Sequence, residues 1–159
     1  MSTQAPVASH DVDTFEEYTL FSLERSTPTL LSMMERSKRV ATYWPQVGAM
    51  VEAAGMCQEV AAMASFQMTL DGIFQFGERD GALREQWTSM RDRLQQVMER
   101  LEKTLTLNEP GPVKGLFAVE LPETLNQFVE VIPLVAEHIR GTYVAETNDS
   151  RPLGDGGNG

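Results

Sequence analysis

Between Leu83 and Leu101, apolar side chains recur at alternating intervals of four and three residues. Charged and amide side chains fill most of the positions between them. This spacing puts one apolar stripe along an α-helix, whereas a strand would need apolar residues at every second position. The sequence therefore predicts an amphipathic helix over 83–107. Its stripe consists of Leu83, Trp87, Met90, Leu94, Val97 and Leu101.

Helical periods also dominate the rest of the chain, and no turn signal joins two alternating apolar runs as a β-hairpin would require. We therefore expect an all-α protein. Proline is tolerated in the first turn of a helix and disfavours helix in the residue before it, which sets several boundaries. The further predicted helices are 14–26, a second from Pro28 to about Trp44, a third from Pro45 to about Phe76, and a last one from Pro122 to Gly141.

Prolines and glycines divide these helices, and small polar residues flank them. The segment NEPGPVKG at 108–115 should end the helix before it. We interpret LFAVEL at 116–121 as irregular. The expected fold is a bundle of four to five helices with coiled-coil-like heptad seams. It forms a single domain over 14–143, between disordered tails at 1–13 and 144–159.

The third helix is apolar nearly all round. The stretch GMCQEVAAMASFQMTL at 55–70 contains one charged residue in sixteen positions. A heptad seam with a small-residue centre is predicted on one side, and a second apolar side carries Met56, Val60, Met63 and Phe66 or Gln67. Three interpretations stay open, namely a central core helix, a helix that packs on another protein or on a second copy, and a methionine-lined slot for an apolar ligand. The seam consists of Val47, Met50, Ala54, Cys57, Ala61, Ala64 and Met68.

Composition excludes several classes of partner. The chain has 159 residues and a formal net charge of −10, which disfavours phosphate-backbone binding, so we expect no nucleic-acid partner. No stretch reaches the length and apolarity of a membrane span, and no basic start precedes an apolar run as in a secretory signal. A single cysteine, Cys57, permits no disulfide within the chain. A cytoplasmic location is therefore expected.

The sequence carries no motif that points to catalysis. With only two histidines, neither a ferritin-like di-iron site nor a Ser-His-Asp triad is expected, and we predict no cofactor and no metal centre. Glu52 and Glu59 lie on one helical face two turns apart, and they would suggest acid–base chemistry only if they were buried together. The burial of Cys57 in an apolar seam should raise its pKa.

From Leu83 to Gly141 the order of features resembles a small helical family of uncharacterised proteins that are encoded beside hydrogenases and formate dehydrogenases. The shared pattern is an amphipathic helix, then NEPGPVKGLF, then a helix that begins with proline and ends at Gly141. The chain departs from that family between Phe117 and Pro122, where the family has a longer segment. The resemblance implies an accessory or scaffold subunit of a redox complex, with no catalytic residue.

The functional prediction is a non-enzymatic scaffold, adaptor or accessory subunit that self-associates or docks onto a larger complex through apolar helix faces. The alternative is a binding module for a lipid or quinone held between helices. In both cases the relevant side chains belong to the third and fourth helices. The candidate interface residues are Met50, Ala54, Cys57, Ala61, Met63, Ala64, Met68, Trp87, Met90, Leu94, Val97 and Leu101.

Overall fold

The computed structural model describes residues 14–78 and 81–158, and in that part of the chain every regular element is a helix. The predicted all-α helical-bundle class is therefore confirmed. The predicted tail at 1–13 lies outside the described residues. The helices are α1 (Phe15–Tyr43), α2 (Val47–Phe74), a 3₁₀ turn (Phe76–Glu78), α3 (Ala82–Leu107), α4 (Pro110–Gly115), a π-helical turn (Leu116–Glu120) and α5 (Leu121–Asn158).

The two helices predicted before Trp44 are one helix, so the predicted break at Pro28 is wrong. Pro28 lies inside α1, although it removes a backbone hydrogen bond. The physical reason is a stripe of buried or half-buried residues that continues past the proline in steps of four and three. Polar residues at Thr19, Ser26 and Ser37 hide this stripe in the sequence. The stripe runs through Thr19, Leu23, Ser26, Leu30, Met33, Ser37, Val40 and Trp44.

Helix α3 agrees with its prediction, and its stripe faces the core. Asn108 ends the helix in the left-handed conformation, and its backbone N–H bonds Thr104. Trp87, near the start of α3, is fully buried. It packs edge to face against Phe76 of the 3₁₀ turn, with 4.8 Å between the ring centroids. Its Nε1 donates to Asp71 Oδ1 at 3.1 Å. These contacts join the end of α2 to the start of α3.

The segment LFAVEL is helical, so its interpretation as irregular is wrong. Leu121 N–H bonds the Leu116 carbonyl five residues back, which widens the helix into a π turn. The Phe117 carbonyl thereby loses its usual donor, and Pro122 has no N–H to replace it. Ser37 of α1, which is fully buried, donates its hydroxyl to that carbonyl at 2.5 Å. A contact 80 positions apart in sequence therefore completes the turn.

The described chain divides into two compact units. One contains residues 28–131, and therefore α2, α3, α4, the π turn, the end of α1 and the start of α5. The other joins the first part of α1 to α5 from Ile132 onward, where Arg140 pairs with Glu24 and Leu23 is buried. The backbone of α5 is helical to Asn158, so the predicted end of this helix at Gly141 is wrong. Disorder at 144–159 stays a prediction.

Candidate functional site

The stripe of α2 that the unit buries is not the seam singled out by the sequence. The buried stripe, called the inner seam below, also steps by four and three residues. The predicted seam lies on the flank of the exposed side, where Val47 is 74% and Met68 is 69% exposed. The inner seam comprises Ala49, Ala53, Met56, Val60, Met63, Gln67 and Leu70, of which all but Met63 are buried.

The exposed side of α2, called the outer face below, contains no charged residue. Small residues occupy its middle, and larger apolar residues lie towards both ends. A helix face of this composition is unusual at a solvent-exposed surface, because water-exposed faces of helices are normally polar or charged. The outer face comprises Val47, Gly48, Met50, Val51, Ala54, Gln58, Ala61, Ala62, Ser65, Met68, Thr69, Gly72 and Ile73.

The acidic residues of α2 lie outside the outer face, where cations of neighbouring helices bind them. Arg36 of α1 donates from Nε to Glu52 Oε2 at 2.5 Å. Its Nη1 and Nη2 also donate to Oε1 and Oε2 of Glu59, at 2.8 Å and 2.7 Å respectively. The hydrogen bonds with Glu59 and then Glu52 raise the pKa of Arg36 further above its ordinary range. Asp71, the third acid, pairs with Arg91 of α3 at 3.5 Å.

The guanidinium of Arg36 therefore binds Glu52 and Glu59 at the same time. They are half-buried rather than buried, and each accepts hydrogen bonds from Arg36. The two carboxylates and Arg36 form an ion cluster on the side of α2 that faces α1. The arrangement has the geometry of a structural clamp.

The predicted interface residues separate into an exposed and a buried group. On α2, Met50, Ala54, Ala61 and Met68 are exposed, whereas Cys57, Met63 and Ala64 are half-buried. On α3, Trp87, Met90, Leu94, Val97 and Leu101 are almost completely buried within the chain itself. The α3 stripe is therefore part of this chain's own core. Of the predicted interface residues, only those on α2 are accessible to a partner.

Cys57 lies at the edge of the outer face, where it is half-buried. Burial raises the pKa of its thiol above the ordinary value, as the sequence predicts. A raised pKa reduces the thiolate fraction at neutral pH. The side chain therefore acts as a small apolar residue at this position.

Sequence reasoning missed two polar residues that organise the unit, Arg36 and Ser37. The signal for Arg36 was present, since two glutamates seven residues apart share one side of an otherwise apolar helix and require a cation nearby. No comparable signal marks Ser37, because its partner is a backbone carbonyl 80 residues away.

A second feature is an open groove of about 560 Å³ beside the π turn. Lys38 and Arg93 line it together with Glu123 and Glu130, so its charged groups balance. Among residues 14–77 and 81–142, whose side chains the structure describes, no group of three or more His, Cys, Asp or Glu side chains is arranged to hold a metal ion. Over the same residues, no helix combines the length and apolarity needed to cross a membrane.

No protein-family model matches the chain, and neither a curated protein nor a solved structure matches it.

Proposed function

We propose that this protein is a non-enzymatic helical docking protein that binds a protein partner through the outer face of α2. The observation that carries the proposal is the absence of charge from the exposed residues of this 28-residue helix. About 23% of the chain is charged, so an uncharged exposed surface of this length is not explained by average composition. Exposed apolar faces of this kind are typical of protein contacts.

The side-chain sizes favour a helix as the partner structure. Ala54, Ala61 and Ala62 leave room for a second helix to approach closely, because they project little beyond the backbone. Met50 and Met68 supply unbranched, adaptable contacts on either side of this region. The Arg36 cluster supports the same role, since it gives Glu52 and Glu59, which lie beside the docking face, a cation within the same chain.

The resemblance to the family encoded beside hydrogenases and formate dehydrogenases suggests that the larger assembly is a redox-enzyme complex. It also fits a cytoplasmic accessory subunit. Both statements are part of the proposal and stay predictions. The resemblance supplies a class of partner for the proposal. The proposed contact with that partner is made by the outer face of α2.

The proposal is tested by placing a photo-crosslinking amino acid at position 61 in cells that make the full chain. Position 96 on α3 is the matched control, because Gln96 is exposed and lies among charged residues. We expect protein adducts from position 61 and few from position 96. Equal adduct formation at both sites, or none at position 61, would overturn the proposal.

A lipid or quinone would give a different result. Native mass spectrometry of the gently purified protein would then show a retained small-molecule mass, and Ala61→Glu would remove that mass. This outcome would replace the docking function with the binding-module alternative.

A further inference from the structure

We infer that one partner of the α2 outer face is a second copy of this chain, bound face to face about a two-fold axis near the middle of the helix. This inference rests on the proposed docking function and names its occupant. The distribution of charge and the sizes of the side chains along α2 support it, and the area of the face sets the expected strength.

Charge selects the place where two copies can meet. Each copy carries a formal net charge of −10, so two copies repel each other at long range, and a contact is opposed least where the meeting surfaces carry no charge. The outer face brings no charged side chain into such a contact. Glu52, Glu59 and Asp71 are already bound to Arg36 and Arg91 within the same copy.

The size gradient makes the face complementary to itself. Two helices that cross at an angle are closest at one point and diverge on both sides of it. Small residues are needed at the crossing point, and larger residues fill the widening gap. Ala54, Ala61, Ala62 and Ser65 occupy the middle of α2, where Gln58 is the one longer side chain on this face. The larger residues Val47, Met50 and Val51 lie at one end, and Met68 and Ile73 lie at the other.

A two-fold axis through the small-residue region places these same features opposite each other in both copies, as an isologous contact requires. Gln58 also lies in this region and is exposed. Its amide both donates and accepts hydrogen bonds, so it can pair with its own counterpart across the axis.

The area of the face limits the strength of the dimer. A helix of 28 residues is roughly 40 Å long and 10 Å wide, so its face offers roughly 400 Å² per copy. Standard stable interfaces bury about 800 Å² per partner. The expected dimer is therefore reversible and dissociates on dilution.

The test uses the purified full chain alone, in sedimentation velocity across a wide range of protein concentration. We expect the sedimentation coefficient to rise towards the dimer value as concentration increases. Ala61→Glu should remain at the monomer value, whereas Gln96→Glu, which adds the same charge to α3, should behave like the wild type. Added salt should increase the dimer fraction, because it screens the repulsion between the acidic copies.

Oxidative crosslinking locates the contact. In a Cys57→Ala background, Ala61→Cys should give a covalent dimer, and Gln96→Cys should not. A monomer at every concentration, or equal crosslinking from both positions, would overturn the inference. If the chain is monomeric but position 61 still crosslinks to another protein in cells, docking stands and self-association fails. If position 61 gives no protein adduct at all, both fail.

Discussion

Helices α2 and α3 have nearly the same length, 28 and 26 residues, and each buries one stripe of side chains in the same unit. Their exposed sides differ completely. The exposed side of α3 has a dense mixture of both charge signs, whereas that of α2 has none. The exposed charged residues of α3 are Arg84, Glu85, Asp92, Arg93, Glu99, Arg100, Glu102 and Lys103.

The difference teaches that burial within a unit and apolar sequence are separate properties of a helix. On α3 the apolar residues fill the core, and the remaining positions favour water. On α2 the core needs only the inner seam, yet the other side is apolar or small as well. A solvent-facing helix would gain solubility from charge there, and the lack of charge on this face is the observation behind the proposed docking role.

The largest difference in stability is expected between substitutions at two neighbouring residues of α2. Val60 is fully buried in the inner seam, and Ala61 is exposed. Val60→Asp should lower the free energy of unfolding by about 4 kcal/mol or more, because it buries a charge without a partner. Ala61→Asp should lower it by only about 0.5–1 kcal/mol through helix propensity. Urea unfolding followed by circular dichroism measures both. Similar losses for the two variants would show that the outer face is not exposed.

The next test compares the two tryptophans. Trp87 Nε1 bonds Asp71, whereas Trp44 Nε1 is buried and has no hydrogen-bond partner among the described residues. Trp87→Phe should cost about 2–3 kcal/mol, because it removes volume and leaves Asp71 without that donor. Trp44→Phe should cost less, since the N–H it removes is unpaired. Urea unfolding of both variants gives the ranking. A larger loss for Trp44→Phe than for Trp87→Phe would show that the contact of Trp87 with Asp71 does not stabilise the junction of α2 and α3.

A smaller effect is expected from the Arg36 clamp. Arg36→Gln should reduce stability by about 1–2 kcal/mol, because Glu52 and Glu59 lose their shared cation. The loss should shrink at high salt. Lys38→Gln is the matched control, since Lys38 is exposed and its Nζ lies 4.0 Å from Glu35 Oε2, a long ion pair. Unfolding is measured in urea, because the denaturant guanidinium chloride is itself a salt and would screen the ion pairs. Equal losses for the two variants would exclude a clamp.

The smallest effect concerns the half-buried edge of the outer face. Burial raises the pKa of Cys57, and only the thiolate reacts with iodoacetamide. The midpoint of the alkylation rate against pH should therefore lie higher in the folded chain than in urea. Gln96→Cys in a Cys57→Ala background should show no such difference, because position 96 is exposed. A midpoint at Cys57 equal to or below that of the unfolded chain would contradict its partial burial.

By itself, the sequence determined the all-α class, the position and stripe of α3, and the end of that helix at Asn108. These properties depend on local spacing, which a single helix expresses without reference to its neighbours. It also showed that α2 is apolar on more than one side. Residues 47–70 carry two stripes with the same alternating step, so periodicity alone does not choose between them.

Only the tertiary structure decided which stripe of α2 is buried. The inner seam packs into the core of the unit, and on its two sides Arg36 binds Glu52 and Glu59 and Arg91 binds Asp71, so residues of two other helices contact α2 in this rotation. In the same way, Ser37 satisfies a carbonyl that the π turn and Pro122 leave without a donor, which lets LFAVEL be helical. These contacts join residues 16 to 80 positions apart, and local propensity carries no information about such distant partners.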